Sequence, residues 1–89
     1  MVKNGLVYAD GTKYWYQNDK LHRDGGKPAI VYADGSKEYW TNGKLHRSGG
    51  RPAIVWHDGS KEYWTNGQQW KDLGNGILQL GFVMIRKGG

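Results

Sequence analysis

The sequence predicts an all-β protein: an antiparallel meander of about three 24-residue hairpin repeats with a hydrophobic C-terminal cap strand. The first observation is that DGSKEYWTNG occurs at residues 34–43 and again, unchanged, at residues 58–67. A duplicated segment of this kind indicates a stacked structural unit. The second is composition, because 15 Gly, six Tyr and five Trp favour short aromatic strands separated by turns.

The repeat has a period of 24 residues, which is the offset between Trp40 and Trp64. It extends beyond the identical stretch, since LHRDGGKPAIV at 21–31 returns as LHRSGGRPAIV at 45–55. We interpret the chain as one repeat domain, residues 1–89, with units at 8–31, 32–55 and 56–73 and a cap strand at 76–86. The outer units depart from the pattern, as a stacked array requires where a unit has no neighbour.

Composition limits the kinds of protein that this chain can be. A chain of 89 residues buries only about 60–65% of its unfolded surface, so the core must be thin. There is no Cys, which excludes a disulfide framework and a thiolate zinc site. The formal net charge of +5 is compatible with affinity for nucleic acid, anionic lipid or an acidic protein surface.

Neither end of the sequence predicts a membrane segment. Residues 1–11 contain no apolar run typical of a signal peptide. The apolar run ILQLGFVMI at 77–85 is too short to cross a bilayer as a helix. We therefore expect a cytoplasmic protein without a transmembrane segment.

The first turn of each unit is Asp-Gly, and Asp and Gly both tolerate the positive φ of a tight hairpin. A two-residue loop at Asp34 and Gly35 predicts a definite strand register. The expected cross-strand pairs are Tyr32 with Lys37, Val31 with Glu38, and Ile30 with Tyr39.

The second turn is Asn-Gly, which predicts another two-residue hairpin. Around Asn42 and Gly43, the expected pairs are Trp40 with Leu45, Tyr39 with His46, and Glu38 with Arg47. The last of these is an opposite-charge pair, and Glu62 with Lys71 would repeat it. Each such pair would contribute roughly 0.2–1 kcal/mol. Pro28 and Pro52 open new strands, where no ladder donor is lost.

The run KEYWTNGKLHRSGGRPAIVWHDGSKEYW at residues 37–64 resembles the MORN-type repeat. It is most similar to the variant MORN-like repeats of bacterial and phage proteins, with their NGK, H-R and G-P-A pattern. The resemblance covers residues 5 to about 71. The matching positions are Asp34, Gly35, Tyr39, Trp40, Asn42, Gly43, Lys44 and His46, with Asp58, Gly59, Tyr63, Trp64, Asn66 and Gly67.

This resemblance implies a meander of antiparallel hairpins that serves as a binding or scaffolding module; some members were proposed to contact phospholipids. The chain departs from the family where Gly-Gly-Lys/Arg-Pro replaces a shorter link and where the segment from Gly74 onward matches nothing. It also resembles small basic proteins of phages or mobile elements that bind and block a host protein complex.

No arrangement of residues predicts catalysis, a cofactor or a metal. His22 and His46 would lie about 10 Å apart, which is too far to share a metal ion. The Asp residues at positions 10, 34 and 58 each precede Gly, where turn chemistry explains them. The Ser residues at 36 and 60 have no local partners of a nucleophile triad. We expect a protein that is not an enzyme.

Cationic residues recur with the period and predict a basic stripe along one edge, at the Gly-Gly bends. Its members are Lys20, Arg23, Lys27, Lys44, Arg47 and Arg51. With interleaved aromatic rings, such a stripe could hold phosphates while bases stack. Alternatively, it serves only solubility and blocks edge pairing. Between the functional readings we favour a partner protein with an acidic surface over nucleic acid, a nucleotide signal or phospholipid.

Three aromatic residues, Tyr16, Tyr32 and Trp56, are the candidate anchors of a protein contact. The predicted function is a non-enzymatic protein-binding module, with binding of an anionic ligand as the alternative. The run at 77–85 either covers Trp64 and Trp70 as a cap or pairs with a partner strand. We expect a monomer, or a weak homodimer formed through residues 77–85.

Overall fold

The computed structural model describes residues 2–88 and contains only β-strands, turns and irregular segments in that range. All of its paired strands are antiparallel. The prediction of an all-β antiparallel meander is therefore confirmed. The molecule measures 43 × 26 × 18 Å. Within residues 2–88, no helix is long and apolar enough to cross a membrane.

One sheet runs through most of the molecule, and three smaller sheets accompany it. The strands of the main sheet are β1 (Gly5–Ala9), β2 (Thr12–Gln17), β3 (Lys20–Leu21), β4 (Ile30–Val31), β5 (Lys37–Glu38), β8 (Ile54–Val55) and β9 (Lys61–Glu62). The other strands are β6 (Trp40–Thr41), β7 (Lys44–Leu45), β10 (Trp64–Thr65), β11 (Gln68–Gln69), β12 (Lys71–Gly74), β13 (Ile77–Leu80) and β14 (Val83–Arg86).

The main sheet has the order β1-β2-β4-β5-β8-β9, and β3 pairs with β2. Sequence order is thus preserved across the sheet, and a step of 24 residues moves the chain two strands along it. Strands β6 and β7 form one separate hairpin, β10 and β11 another. The pattern of short strands and tight turns agrees with the high Gly and aromatic content.

The Asn-Gly hairpins have the predicted register. Trp40 lies opposite Leu45 and Thr41 opposite Lys44, and the N–H of His46 donates to the carbonyl of Tyr39 at 3.0 Å. Asn42 and Gly43 have φ values of 49° and 80°. Two successive positive φ angles are what a two-residue turn of this hand requires, and Asn-Gly supplies them at least steric cost.

The Asp-Gly hairpin of the first unit also has a two-residue loop. Ala9 pairs with Thr12, and Asp10 and Gly11 have φ values of 50° and 81°. The predicted turn geometry is confirmed at this position.

The Asp-Gly hairpins of the later units have a different register, and the prediction there is wrong by one residue. Val31 lies opposite Lys37, and Ile30 opposite Glu38. The same pairing recurs between Val55 and Lys61 and between Ile54 and Glu62. Because side chains alternate between the two faces, this shift exchanges the face on which each partner lies.

The shift arises because Ser36 belongs to the loop rather than to the strand. The carboxylate Oδ1 of Asp34 accepts the N–H of Ser36 at 2.8 Å, and the carbonyl of Ser36 accepts the N–H of Tyr32 at 2.9 Å. The buried hydroxyl Oγ of Ser36 accepts the N–H of His57 from the next unit at 2.9 Å. These local side-chain bonds favour a longer loop over a two-residue turn.

Successive units are joined by a repeated set of hydrogen bonds at the Asn-Gly turns. The N–H of Asn42 donates to Nδ1 of His22 at 3.0 Å, and the N–H of Gly43 donates to the carbonyl of Leu21 at 2.9 Å. The equivalent bonds from Asn66 to His46 and from Gly67 to Leu45 measure 3.0 and 2.8 Å. Both imidazoles therefore carry their proton on Nε2 and act as structural acceptors.

The C-terminal segment forms a three-stranded sheet of order β12-β13-β14. The expected single cap strand at 76–86 is instead the hairpin β13–β14, because the chain reverses at Gly81, which has a φ of 60°. We call this element the C-terminal hairpin. Leu78, in its first strand, is completely buried.

The core is thin, as the length of the chain predicts. Its buried apolar residues are Ala29, Ile30, Ala53, Ile54, Tyr63 and Leu78. Glu38 is buried among them with only 8% of its surface exposed. The row Ile30–Glu38–Ile54 crosses neighbouring strands on one face of the sheet, so a carboxylate lies at the centre of the apolar layer.

Candidate functional site

One face of the main sheet carries a line of three exposed lysines, one from each unit. Lys13 lies opposite Val31, Val31 opposite Lys37, Lys37 opposite Val55, and Val55 opposite Lys61. Residues directly opposite one another share a face. Lysines and valines therefore alternate along this line, and we call Lys13, Lys37 and Lys61 the lysine row.

The lysine row is an unneutralised cationic feature. Its members lie two strand spacings apart, which is about 10 Å from one lysine to the next. Within residues 2–88, Asp72 pairs with Lys87, and Asp24 and Asp34 lie beside the imidazoles of His22 and His57. None of these carboxylates pairs with the lysine row. At the outer end, the Lys13 ammonium lies 5.8 Å from the ring centre of Tyr8, whose side chain is 63% exposed.

The opposite face holds a carboxylate between two aromatic donors. Glu38 Oε2 accepts the hydroxyl of Tyr32 at 2.7 Å, and Oε1 accepts the indole N–H of Trp40 at 2.8 Å. Burial, and after it the hydrogen bond to Glu38, raises the pKa of Tyr32 above its ordinary value. The hydroxyl therefore remains a protonated donor. Glu62 repeats the arrangement with Trp56 at 3.0 Å and Trp64 at 3.1 Å.

The three predicted aromatic anchors differ in exposure. Tyr16 and Tyr32 are half-buried. Trp56 is 37% exposed, but its indole N–H is already bonded to Glu62. Tyr16 has the Lys3 ammonium 5.1 Å from its ring centre. The Tyr32 hydroxyl and the Trp56 indole N–H are therefore both bonded within the protein.

The two predicted charge pairs, Glu38 with Arg47 and Glu62 with Lys71, do not form. Glu38 and Glu62 accept aromatic N–H and O–H donors instead, and Lys71 lies opposite Gln79. The Arg47 guanidinium lies 3.8 Å from the ring centre of Tyr39. Stacking on the ring and bonding to backbone satisfies this cation without a carboxylate.

Arg23 and Arg47, both members of the predicted basic stripe, have the same structural setting. The Arg23 guanidinium lies 3.7 Å from the ring centre of Trp15. Each arginine donates from Nη1 to a proline carbonyl, Arg23 to Pro28 at 3.3 Å and Arg47 to Pro52 at 3.2 Å. These ring faces are therefore covered by the protein's own cations, which leaves them closed to stacking nucleobases.

The other members of the basic stripe lie at two separate places. Lys20 and Lys44 are exposed on the Asn-Gly hairpins, where their aliphatic carbons lie beside Gly43 and Gly67 of the following unit. Lys27 and Arg51 are exposed at the Gly-Gly bends. The structure therefore brings together only part of the predicted stripe: Arg23, Lys27 and Arg47 line one groove.

This groove lies between the first two units and has a volume of about 290 Å³. Its wall includes Arg23, Lys27, Tyr39, Trp40 and Arg47. We call it the open groove. It combines two aromatic side chains with three cations, of which Arg23 and Arg47 are already held by rings and backbone.

A second groove lies one period further along and holds only about 40 Å³ of free space. Leu78 and Ile85 of the C-terminal hairpin form part of its wall, together with Trp64 and Trp70. The hairpin thus packs against the two tryptophans that we expected it to cover. We call this second site the filled groove.

The filled groove also holds the end of the described chain. The Gly88 N–H donates to the carbonyl of Gly50 at 2.7 Å. The Lys87 ammonium lies 5.3 Å from the ring centre of Tyr63 and 2.7 Å from the Asp72 carboxylate. Hydrogen bonding to Lys87 lowers the pKa of Asp72 and raises that of Lys87.

The aspartates of the Asp-Gly turns have the backbone role that the sequence predicts. Asp34 and Asp58 accept the N–H of Ser36 and Ser60, each at 2.8 Å. These backbone bonds hold the pKa of each carboxyl below its ordinary value of 3.8. Among the residues that the structure describes, no three His, Cys, Asp or Glu side chains form a group that could hold a metal ion.

Sequence reasoning missed the lysine row, although its signal was present. The three lysines share the 24-residue offset, and Lys37 and Lys61 each precede a glutamate, so Lys and Glu must point to opposite faces in those two units. The predicted register did not show the row, because a two-residue loop would place Tyr32, not Val31, opposite Lys37. The recurrence of Lys-Glu-aromatic in all but the first unit is the pattern that identifies it.

Comparison with known proteins adds one short similarity. No family model matches the chain, and no solved structure matches it. A stretch of 21 residues is 76% identical to "Uncharacterized protein L111" of Acanthamoeba polyphaga mimivirus. That stretch is 24% of this chain and 6% of the mimivirus protein, so the chain spans only a small fraction of that relative.

Proposed function

We propose that this chain is a MORN-like repeat protein that acts without catalysis, as a module that binds a partner protein with an acidic surface. The lysine row is the observation that carries the proposal. Its three cations are exposed, are unpaired within the described residues and are arranged in a line. Charges that the protein does not neutralise itself attract a partner of opposite sign and orient it.

The spacing of the row defines the partner further. Lysines about 10 Å apart match carboxylates on every seventh residue of a helix, because seven residues rise about 10.5 Å. The valines between them offer shallow apolar contact. An acidic amphipathic helix laid across the strands would meet all three lysines at once.

Binding of nucleic acid is the weaker alternative. The aromatic rings nearest the predicted basic stripe, Trp15 and Tyr39, are covered by Arg23 and Arg47. A single-strand binder needs ring faces free for bases. The geometry therefore favours a protein partner.

We extend the proposal to inhibition, in which the bound module blocks a protein complex of the host. The short match to a mimivirus protein supports a viral setting and names no partner. In this proposal, one bound module per captured complex reduces the activity of that complex.

Affinity capture with charge-reversal variants tests the proposed function. The triple variant K13E/K37E/K61E removes the lysine row, and K20E/K44E/K71E makes the same change in net charge elsewhere on exposed positions. We expect the wild type and the second variant to retain the same proteins from a lysate, and the first variant to lose them. Three exposed charge contacts correspond to a loss in affinity of about 10- to 100-fold at low salt.

Two outcomes would contradict the proposal: equal loss by both variants, or no retained protein at all. A second experiment measures the binding of labelled single- and double-stranded nucleic acid to the protein at increasing salt concentration. Binding with a logarithmic salt slope of about −2.7, as three phosphate contacts would give, and its loss in the K13E/K37E/K61E variant alone, would establish the alternative function.

A further inference from the structure

The open groove and the filled groove are two copies of one site, and among residues 2–88 only the second has an occupant. Every wall residue that the filled groove takes from the repeats has a counterpart 24 positions earlier in the wall of the open groove. The remaining wall residues, Leu78 and Ile85, belong to the C-terminal hairpin. The protein therefore displays, within its own structure, the kind of segment that this groove accepts.

We propose that the open groove is a docking site for an extended or hairpin segment of a partner protein, with two aliphatic side chains followed by a carboxylate. This site is separate from the lysine row and does not depend on it. The C-terminal hairpin provides the pattern for the occupant: Ile85 and the fully buried Leu78 line the same space as Trp64 and Trp70, whose counterparts in the open groove are Trp40 and His46.

The backbone of the bend is suited to a passing chain in both grooves. In the filled groove, a Cβ on Gly50 would overlap the Arg86 carbonyl and the Gly88 N–H, and Gly50 accepts a hydrogen bond from Gly88. In the open groove, a Cβ on Gly26 would meet nothing within 4 Å. Within residues 2–88, the carbonyl of Gly26 accepts no hydrogen bond. An acceptor and a space of about 290 Å³ are therefore both available.

The charge requirement differs between the two grooves. In the filled groove, Lys87 supplies the cation over the Tyr63 ring. In the open groove, the equivalent ring, Tyr39, is already covered by Arg47 at 3.8 Å. A second cation there would be repelled by Arg47 and by the exposed Lys27, whereas a carboxylate would pair with them. Asp24 also lines this groove and is hydrogen-bonded to Nε2 of His22 at 2.7 Å, but the three cations outnumber this one carboxylate.

This charge difference also selects the class of occupant. The C-terminal hairpin of a second copy would bring Arg86 and Lys87 into a groove that already holds three cations. A foreign segment with an acidic residue at the Lys87 position is therefore the favoured occupant. The hairpin of a second copy and the proposed acidic segment differ at the Lys87 position, so two peptides that differ only there can distinguish them.

The test uses two cyclised peptides of residues 75–88, one with the native sequence and one with Lys87→Glu, because isolated two-stranded hairpins are only marginally stable. Each is titrated into the full ¹⁵N-labelled chain. We expect the Lys87→Glu peptide to shift the amide signals of residues 22–27 and 39–41. The native peptide should bind more weakly, by a factor of about five or more. Lys27→Glu should weaken binding by about three- to tenfold, and Lys44→Glu, an equal charge change outside the groove, by less than twofold.

Several results would overturn the proposal. These are the absence of any shift, shifts confined to the lysine row, equal binding of the two peptides, or shifts at residues 49–50 and 85 that indicate exchange with the protein's own hairpin. The K13E/K37E/K61E variant separates this proposal from the previous one. It should bind the Lys87→Glu peptide like the wild type, even if it retains no protein from a lysate.

Discussion

Replacement of Glu38 by leucine should destabilise the protein far more than the same change at Glu62, the equivalent residue one period later. Both glutamates accept two aromatic donors, but Glu38 is 8% exposed and Glu62 is half-buried. The hydrogen bonds of Glu38, at 2.7 and 2.8 Å, are also shorter than those of Glu62, at 3.0 and 3.1 Å.

The structure gives the expected magnitude. Glu38→Leu removes the acceptor of the half-buried Tyr32 hydroxyl and Trp40 indole N–H, and each orphaned donor costs about 1–3 kcal/mol. With partial compensation from the added apolar side chain, we expect a loss of about 3 kcal/mol in the free energy of unfolding. Water can replace the carboxylate at Glu62, so Glu62→Leu should cost about 1 kcal/mol.

Thermal and urea unfolding, followed by far-ultraviolet circular dichroism, measure the difference. Indole fluorescence is unsuitable as the main probe, because Trp40 and Trp64 lie beside the mutated residues. For a chain of this size, about 3 kcal/mol corresponds to a decrease of roughly 12–24 °C in Tm. Glu38→Gln keeps one acceptor and should lie between the wild type and Glu38→Leu. Equal losses for Glu38→Leu and Glu62→Leu would refute the reasoning.

Three further predictions follow from contacts described above. His46→Leu removes the acceptor for the next Asn-Gly turn and should cost about 1 kcal/mol in unfolding free energy. His46→Asn should recover part of this loss, because its Oδ1 can occupy the Nδ1 position. A larger loss for the Asn variant would show that packing, not the hydrogen bond, matters. Gly26→Ala and Gly50→Ala share the strain of a positive φ, about 1 kcal/mol, but only the second displaces the C-terminal hairpin, so it should cost about 1–3 kcal/mol more and speed hydrogen exchange at residues 87–88. The turn carboxyls Asp34 and Asp58 have lowered pKa values in the folded state. Their contribution to stability is therefore present at neutral pH and is lost as the pH falls through those values, below 3.8. The variant with both residues replaced by Asn keeps the turn hydrogen bonds and should show a flatter decline of stability between about pH 4 and pH 2; an unchanged slope would contradict the assignment.

The sequence was sufficient for those parts of the fold that local backbone chemistry determines. Asn42 and Gly43 need two positive φ values, and few other residue pairs supply them, so turn type and register followed directly. The Asp-Gly turns were harder to predict, because Ser36 could extend the strand or join the loop. That choice depends on the N–H of His57, which is 21 residues away in the sequence.

The candidate sites were predictable to a lesser degree for the same reason. Lys37 and Glu38 could be assigned to opposite faces from alternation alone, but which face met Val31 depended on the loop. The stacking of Arg47 on Tyr39 was not foreseen, because a nearby Glu offered an apparently simpler partner. The two grooves depend on where the C-terminal hairpin lies, and that segment has no counterpart within the repeat.

The His-to-Asn link between units has a consequence for how such a chain can grow. Each Asn-Gly turn attaches to the preceding unit through the same pair of bonds, at His22 and Leu21 and again at His46 and Leu45. An in-frame duplication of 24 codons within the second unit would therefore reproduce an existing junction and require no compensating substitution. Each added copy would lengthen the molecule by two strand spacings, about 10 Å, and would add one lysine to the row and one vacant groove.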